Sequence, residues 1–316
     1  MKQISWLKPV VDSWQSSHAQ GRPPHALMLT GPVGAGKRCA AAWLARSRLG
    51  MDVPELPTYP AKLPEHADFR WLAPPEDKHS IGIDQVRELV AGLNLTSYEG
   101  GGKVAIIEPA DAMTTSAANS LLKTLEEPPG DTLLILVVDR PGHLPATIFS
   151  RCQRVNVHVP GEAEGIAWLQ GMQPGSNWAG LLRESGNAPL AALQAMERID
   201  ETEAMARDLA AVAEGRGSPL GVAARWAKLE PDFVLSWLGR QVQMCISRTA
   251  NGSTAGVPAV VPDSVLERID RKNLFCYLDI INRLRGQPAG SFNVQLTLES
   301  LLIDWGQRLE LLTGNE

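Results

Sequence analysis

The residues whose types and spacing most clearly suggest a chemical role run from Gly31 to Arg38, where the chain reads GPVGAGKR. In a phosphate-binding loop of this spacing, backbone N–H groups surround the phosphates, the lysine contacts the outer ones, and a Ser or Thr hydroxyl binds magnesium. Here Arg38 takes the place of that hydroxyl, and a guanidinium has no lone pair to offer a metal ion. We therefore predict a degenerate phosphate loop without a metal site, formed by Gly31, Gly34, Gly36 and Lys37.

A second group of candidate residues follows an apolar segment, Lys103 to Ile107, that we predict to be a strand. In nucleoside triphosphatases of this architecture, two acids at such a strand end bind magnesium through water and orient the attacking water. Here the first acid is Glu108, but the second position holds Pro109. Proline can neither accept a proton nor bind a metal ion, so the sequence indicates a nucleotide-binding fold that has lost hydrolysis.

The elements that must position these residues alternate between strands and helices over the first 160 or so residues. Candidate strands are His25 to Thr30, Phe69 to Leu72, Lys103 to Ile107, Leu133 to Val138 and the alternating Val155, Val157 and Val159. Candidate helices are Lys37 to Leu49, Ile83 to Leu93 and Ser116 to Glu126, and the proline-rich stretch Gly50 to Glu65 is expected to be irregular. This alternation predicts a doubly wound α/β domain.

Only helical patterns remain after Pro160. We therefore expect an α/β domain at residues 1–160, a small helical domain at 161–205 and a C-terminal helical domain at 206–316. A polar loop from Asn251 to Pro262 is expected to divide the last domain, and its final apolar stripe runs from Val294 to Leu312.

Composition limits the classes of partner and compartment. The 30 basic and 35 acidic residues give a formal net charge of −5, so nucleic-acid contact must be local or supplied by partners. The four cysteines, Cys39, Cys152, Cys245 and Cys276, lie far apart and form no C-x-x-C pair, which predicts free thiols and no zinc. No apolar run approaches the roughly 18 residues of a membrane span, and no secretory signal is recognisable, so a cytoplasmic protein without membrane contact is expected.

Two longer motifs are the most specific part of the sequence: NSLLKTLEEPP, from Asn119 to Pro129, and LPATIFSRC, from Leu144 to Cys152. They closely resemble the delta-prime family of bacterial DNA polymerase III clamp-loader subunits, which belongs to the AAA+ superfamily. The resemblance extends over nearly the whole chain, from the strand at His25 to the helix at Leu301 to Leu309. It is far more specific than the phosphate loop alone.

The resemblance implies a RecA-like AAA+ module with a parallel sheet, a small helical lid and an all-α collar domain that joins other subunits. Members of this family do not hydrolyse ATP, and the arginine of their Ser-Arg-Cys motif points into the ATP site of a neighbouring ATPase subunit. That arginine is Arg151, with Ser150 and Cys152 as supporting residues. The implied partners are the gamma or tau ATPase subunits, the delta subunit and, through the assembly, the sliding clamp and primer-template DNA. No cofactor is implied.

The chain also departs from its relatives at two points. Many carry a four-cysteine zinc module after the phosphate-loop helix, whereas Gly50 to Glu65 contains no cysteine. Active relatives place a nucleotide-reading arginine in the lid where this chain has Pro189, which removes a third nucleotide contact.

Several alternatives remain open on sequence alone. Taken without its motif, Arg151 is better explained as a solvated surface arginine. We expect the phosphate loop to be closed by Arg38 and by packing, with weak phosphate or nucleotide binding as the alternative. For the whole chain, the alternatives are an active ATPase subunit of the same family and a freestanding AAA+ recruitment factor.

Overall fold

The computed structural model describes residues 1–21, 23–75, 78, 80–98, 100, 102–251, 260–287, 292–307 and 309. The chain divides into two compact units, Met1–Met196 and Glu197–Glu316. The first contains all of the described strands, and the second is helical.

The first unit is built on a five-stranded parallel sheet with the order β4-β5-β6-β2-β7. These strands are β2 (Ala26–Thr30), β4 (Phe69–Leu72), β5 (Lys103–Ile107), β6 (Thr132–Val137) and β7 (Gln153–Asn156). Two short strands, β1 (Lys2–Gln3) and β3 (Thr58–Tyr59), form a separate antiparallel pair.

The period of two along each strand sends alternate side chains to opposite faces of the sheet. Leu27 and Leu29 of β2 join a core on one face, whereas Met28 joins a second core on the other face. Both faces are covered by helices, which is why β5 and β6 are buried along their whole length.

Among the described residues, eight α-helices lie in the first unit, and the last of them ends one residue beyond it. They are α1 (Lys8–Ala19), α2 (Lys37–Arg48), α3 (Ile83–Asn94), α4 (Thr115–Glu126), α5 (Ala146–Phe149), α6 (Glu162–Met172), α7 (Trp178–Glu184) and α8 (Pro189–Glu197). Buried residues of α2 join the first core, and those of α3 and α4 join the second. Helix α1 was not predicted, although Val10 and Trp14 have helical spacing and are both buried.

The second unit contains α9 (Ile199–Ala213), α10 (Pro219–Trp226), α11 (Pro231–Asn251), α12 (Asp263–Leu266), α13 (Arg271–Arg285) and α14 (Val294–Gly306). Its core includes the fully buried Trp226, Tyr277 and Trp305. Helix α10 packs on α14, and α11 packs on α13. Among the described residues of the chain, no helix is both long and apolar enough to cross a bilayer.

The predicted strands of the sheet are confirmed, with two differences. Strand β7 ends at Asn156, so Val155 is its only valine, although the amide of Val157 still donates to the carbonyl of Thr30 at 2.7 Å. The stretch expected to be irregular contains β3, whose pairing with β1 involves residues far apart in sequence. Most of the predicted loop from Asn251 to Pro262, and Leu312, lie outside the described residues. The division into three domains, at residues 160/161 and 205/206, remains a prediction.

Candidate functional site

The phosphate-loop residues lie where the sequence predicts them, between the carboxyl end of β2 and the start of α2. Gly31, Gly34 and Gly36 have φ of 140°, 79° and 102°, values that residues with a Cβ rarely adopt. The loop is also tightly surrounded, because a Cβ on Gly34 would lie 2.4 Å from the backbone nitrogen of Ala191 at the start of α8. The glycines therefore serve the close approach of other segments as well as the shape of the loop.

Lys37 does not extend towards an open pocket. Its Nζ donates to the carbonyls of Gly31 (2.6 Å) and Pro32 (2.7 Å) and forms an ion pair with Asp139 Oδ1 at 2.8 Å. An ammonium group has three N–H donors, so these three acceptors use all of them. The side chain is only 4% exposed. The lysine that would bind phosphate is thus bound to its own loop and to Asp139.

Arg38 lies beside the residue that would help to hold magnesium. Its Nε is 3.5 Å from Glu108 Oε2, and its guanidinium carbon is 4.7 Å from the centre of the Trp71 ring. The guanidinium thus supplies a positive charge next to this carboxylate, and it cannot ligate a cation. Because the hydroxyl ligand is missing and a guanidinium already lies beside the carboxylate, these residues do not fit a magnesium ion.

The ionisation of Glu108 reflects this enclosed position. Burial raises the pKa of its carboxyl group, while Arg38, a hydrogen bond from the Trp71 side chain and Lys37 oppose the rise. Asp139, which carries the same charge, adds to the rise. Oε2 of Glu108 is buried and accepts no hydrogen bond from the described residues.

Neighbouring segments also hold the backbone of the loop. The Trp6 indole donates to the carbonyl of Ala35 at 2.8 Å, and the amide of Leu190 is 3.2 Å from the carbonyl of Gly34. Pro189 begins α8 and is buried. The sequence predicts a loop closed by Arg38 and by packing. In the structure the contacts come from Lys37, Trp6 and the start of α8, because Arg38 is turned towards Glu108 and Trp71.

The second predicted site lies between the short helix α5 and strand β7. Arg151 is 31% exposed, and its Nη1 donates to the carbonyl of Thr147 at 2.9 Å and to Ser150 Oγ at 3.1 Å. Its Nε donates to Glu126 Oε1 at 2.6 Å, and its Nη2 contacts the same oxygen. Cys152 packs against the second core, where burial raises the pKa of its thiol to about 11. Ser150 thus contacts Arg151 directly, whereas Cys152 packs into the core.

The two predicted sites lie at opposite ends of the parallel strands. Strands β2 and β7 are parallel neighbours in which Leu27 pairs with Gln153 and Thr30 pairs with Asn156. The phosphate loop follows the carboxyl end of β2, whereas Arg151 precedes the amino end of β7. At about 3.3 Å per residue, the four positions from Leu27 to Gly31 span about 13 Å. The structure therefore brings Gly31, Gly34, Gly36 and Lys37 together and keeps Arg151 apart from them.

Sequence reasoning missed three residues of these sites. Asp139 follows β6 at the carboxyl edge of the sheet, where polar residues of parallel sheets collect, and that position was a usable signal. Glu126 lies within a motif that the sequence analysis identified, but no role was assigned to it. Trp71 is an exposed aromatic residue in β4, and no sequence pattern connects it to Arg38.

Comparisons with known proteins agree with this architecture. The family described as "DNA polymerase III, delta subunit" matches residues 6–160. The chain is 38% identical over 189 residues to DNA polymerase III subunit delta′ of Pseudomonas aeruginosa, covering 57% of this chain and 58% of that protein. It is 34% identical over 209 residues to subunit delta′ of Escherichia coli, covering 61% and 60% respectively. The matched region spans about three fifths of these relatives.

A solved structure extends the likeness in fold to the rest of the chain. The crystal structure of a DNA polymerase III gamma subunit-related protein from Thermotoga maritima has a TM-score of 0.54 and 20% identity, covering 95% of this chain and 99% of that one. At this identity the likeness concerns the fold alone. The predicted fold class, an α/β module with a parallel sheet followed by a helical C-terminal region, is confirmed. Over residues 6–160, the chain is therefore similar to the delta′ subunits of bacterial DNA polymerase III.

Proposed function

We propose that this chain is a clamp-loader subunit that does not hydrolyse ATP and that supplies Arg151 to the ATP site of a neighbouring ATPase subunit. In this role it helps to place the sliding clamp on primer-template DNA in the cytoplasm. The gamma or tau ATPase subunits and the delta subunit are the proposed direct partners. The clamp and the DNA are partners through the assembly.

One observation carries this proposal: Arg151 lies at the amino ends of the parallel strands, opposite the carboxyl ends where the phosphate loop lies. The guanidinium is partly exposed. The start of β7, which follows Arg151, lies about 13 Å along the strand direction from the phosphate loop of the same chain. An arginine so placed is suited to a phosphate group held by another subunit. Such a residue offsets the charge that develops on a transferring phosphoryl group and can contact two of its oxygens.

The state of the phosphate loop supports the non-hydrolytic part of the proposal. All three donors of Lys37 are used within the chain, and Arg38 lies beside Glu108 in place of a metal ligand. Pro109 also lacks the carboxylate that would orient an attacking water.

The test is Arg151→Ala in a loader reconstituted with its ATPase subunits, clamp and primed DNA. Removing an arginine of this type lowers turnover at its site by about 10³-fold or more, so the total rate should fall by that site's share. Arg154→Ala is the matched control, since Arg154 is an exposed arginine three residues away in β7. An Arg151→Ala loader as fast as the wild type would refute the role of Arg151.

The isolated chain provides an independent test. With magnesium and ATP it should show no turnover above a blank. Turnover that depends on magnesium and is lost in Lys37→Met would instead identify an active ATPase subunit.

A further inference from the structure

Glu126 binds the edge of the Arg151 guanidinium that is best suited to a phosphate. The Nε and Nη2 donors of arginine form a planar fork that matches two oxygens of a carboxylate or phosphate group. Here both donors face a single carboxylate oxygen, Glu126 Oε1. The remaining terminal nitrogen, Nη1, already donates to Thr147 and Ser150. A triphosphate therefore meets no unoccupied pair of donors on this guanidinium.

The two elements that hold Arg151 differ in kind. Thr147 and Ser150 belong to α5 and its end, just before Arg151 in the chain, and provide neutral acceptors. Glu126 ends α4, which is a separate element, and among the described residues it is the carboxylate that pairs with this guanidinium. Displacing Glu126 would leave the α5 contacts in place to orient the arginine.

The exposure of the pair suits an exchange of partners. The side chains of Arg151 and Glu126 are 31% and 49% exposed, so water and salt screen their attraction. An ion pair of this exposure changes an equilibrium by about fivefold at most. A triphosphate carries more negative charge than a carboxylate and can displace Glu126 from Arg151. This displacement lowers the apparent affinity of the site for the triphosphate by up to that factor.

We propose that Glu126 is a competing counter-ion for Arg151, which occupies the guanidinium until the ATP of the neighbouring subunit displaces it. Glu126 thereby sets how tightly the completed site holds its nucleotide, without contacting the reacting atoms. This inference rests on the proposed function of Arg151.

The test compares Glu126→Gln with the wild type in the reconstituted loader. The substitution keeps the shape of the side chain and removes its charge. The ATP concentration for half-maximal rate at the affected site should fall by about two- to fivefold, with little change in the maximal rate. Glu127→Gln is the matched control, because Glu127 is the adjacent exposed carboxylate and is not among the groups bound to Arg151. Its half-maximal concentration should not change.

A double variant separates competition from an effect elsewhere in the fold. In an Arg151→Ala background, Glu126→Gln should no longer shift the half-maximal ATP concentration, because the guanidinium it competes for is gone. The melting temperature of the isolated Glu126→Gln chain should match the wild type, so a change in kinetics cannot come from unfolding.

The outcomes distinguish this inference from the proposal on which it rests. If Arg151→Ala lowers the rate but Glu126→Gln raises the half-maximal ATP concentration or leaves it unchanged, competition by Glu126 is wrong and the role of Arg151 stands. A fall in maximal rate in Glu126→Gln, or an equal shift in the double variant, overturns the competition as well. If Arg151→Ala leaves the rate unchanged, the proposed function fails first.

Discussion

Replacing Lys37 by methionine tests whether this lysine now stabilises the fold. Methionine keeps the apolar stem and removes the ammonium group that binds two carbonyls and Asp139. In an open phosphate site the same change would cost nucleotide affinity and little stability. In this structure it should mainly lower the free energy of unfolding.

The expected cost follows from the contacts. A hydrogen bond to a charged group contributes about 1.5–3 kcal/mol, and a buried charge left without its partner costs about 3–5 kcal/mol. Asp139 is 32% exposed, so water can solvate its carboxylate after the change and the larger figure does not apply. We expect Lys37→Met to lower the free energy of unfolding by about 2–3 kcal/mol. For a unit of this size, that corresponds to a fall in melting temperature of about 4–12 °C.

Calorimetry and denaturant unfolding of the isolated chain measure this cost. Lys8→Met is the control, since Lys8 forms an exposed ion pair with Asp12 one helical turn away, and should change stability by about 0.5 kcal/mol or less. If Lys37→Met melts like the control but abolishes binding of a nucleotide that protects the wild type, the loop is an open phosphate site and the structural role is wrong.

Two further predictions concern the same loop. Burial raises the pKa of Glu108, so the folded chain binds the carboxyl proton more tightly than the unfolded chain does. The difference in unfolding free energy between the wild type and Glu108→Gln should therefore fall as the pH rises from the ordinary pKa of 4.5 through the raised pKa. Above the raised pKa this difference should level off. Denaturant unfolding over a pH series measures this, and a difference that rises with pH would contradict it. Gly34→Ala should lower the melting temperature by more than Gly50→Ala. Both glycines have positive φ, but of the two only Gly34 packs against Ala191. Equal losses would mean that close packing at Gly34 is unimportant.

The sequence predicted the sheet well because its strands are strongly apolar and are separated by clear turn signals. Burial on both faces makes β5 and β6 continuous apolar runs, which few other structures explain. The edge strand β7 was harder to delimit, because β2 is its only partner among the described strands and its residues are mostly exposed. The glycine-rich loop was recognisable because its glycines, lysine and arginine are close in sequence.

The contacts of the loop were not predictable in the same way. Asp139, Trp71 and Ala191 reach it from three segments that are distant in sequence, and each contact depends on how those segments pack. The same is true of Glu126 and Arg151, which are 25 residues apart. Residue types and spacing predicted which positions could take part in chemistry, and only the tertiary structure showed what each one contacts.

The packing of α8 against Gly34 limits what one substitution in the phosphate loop could achieve. Restoring a hydroxyl at position 38 would still leave the ammonium of Lys37 tied to Asp139 and the glycine loop pressed against Ala191. Several segments would have to change together before the loop had space for a triphosphate and a free ammonium group to bind it. A single substitution at position 38 would therefore not turn this loop into an open phosphate site.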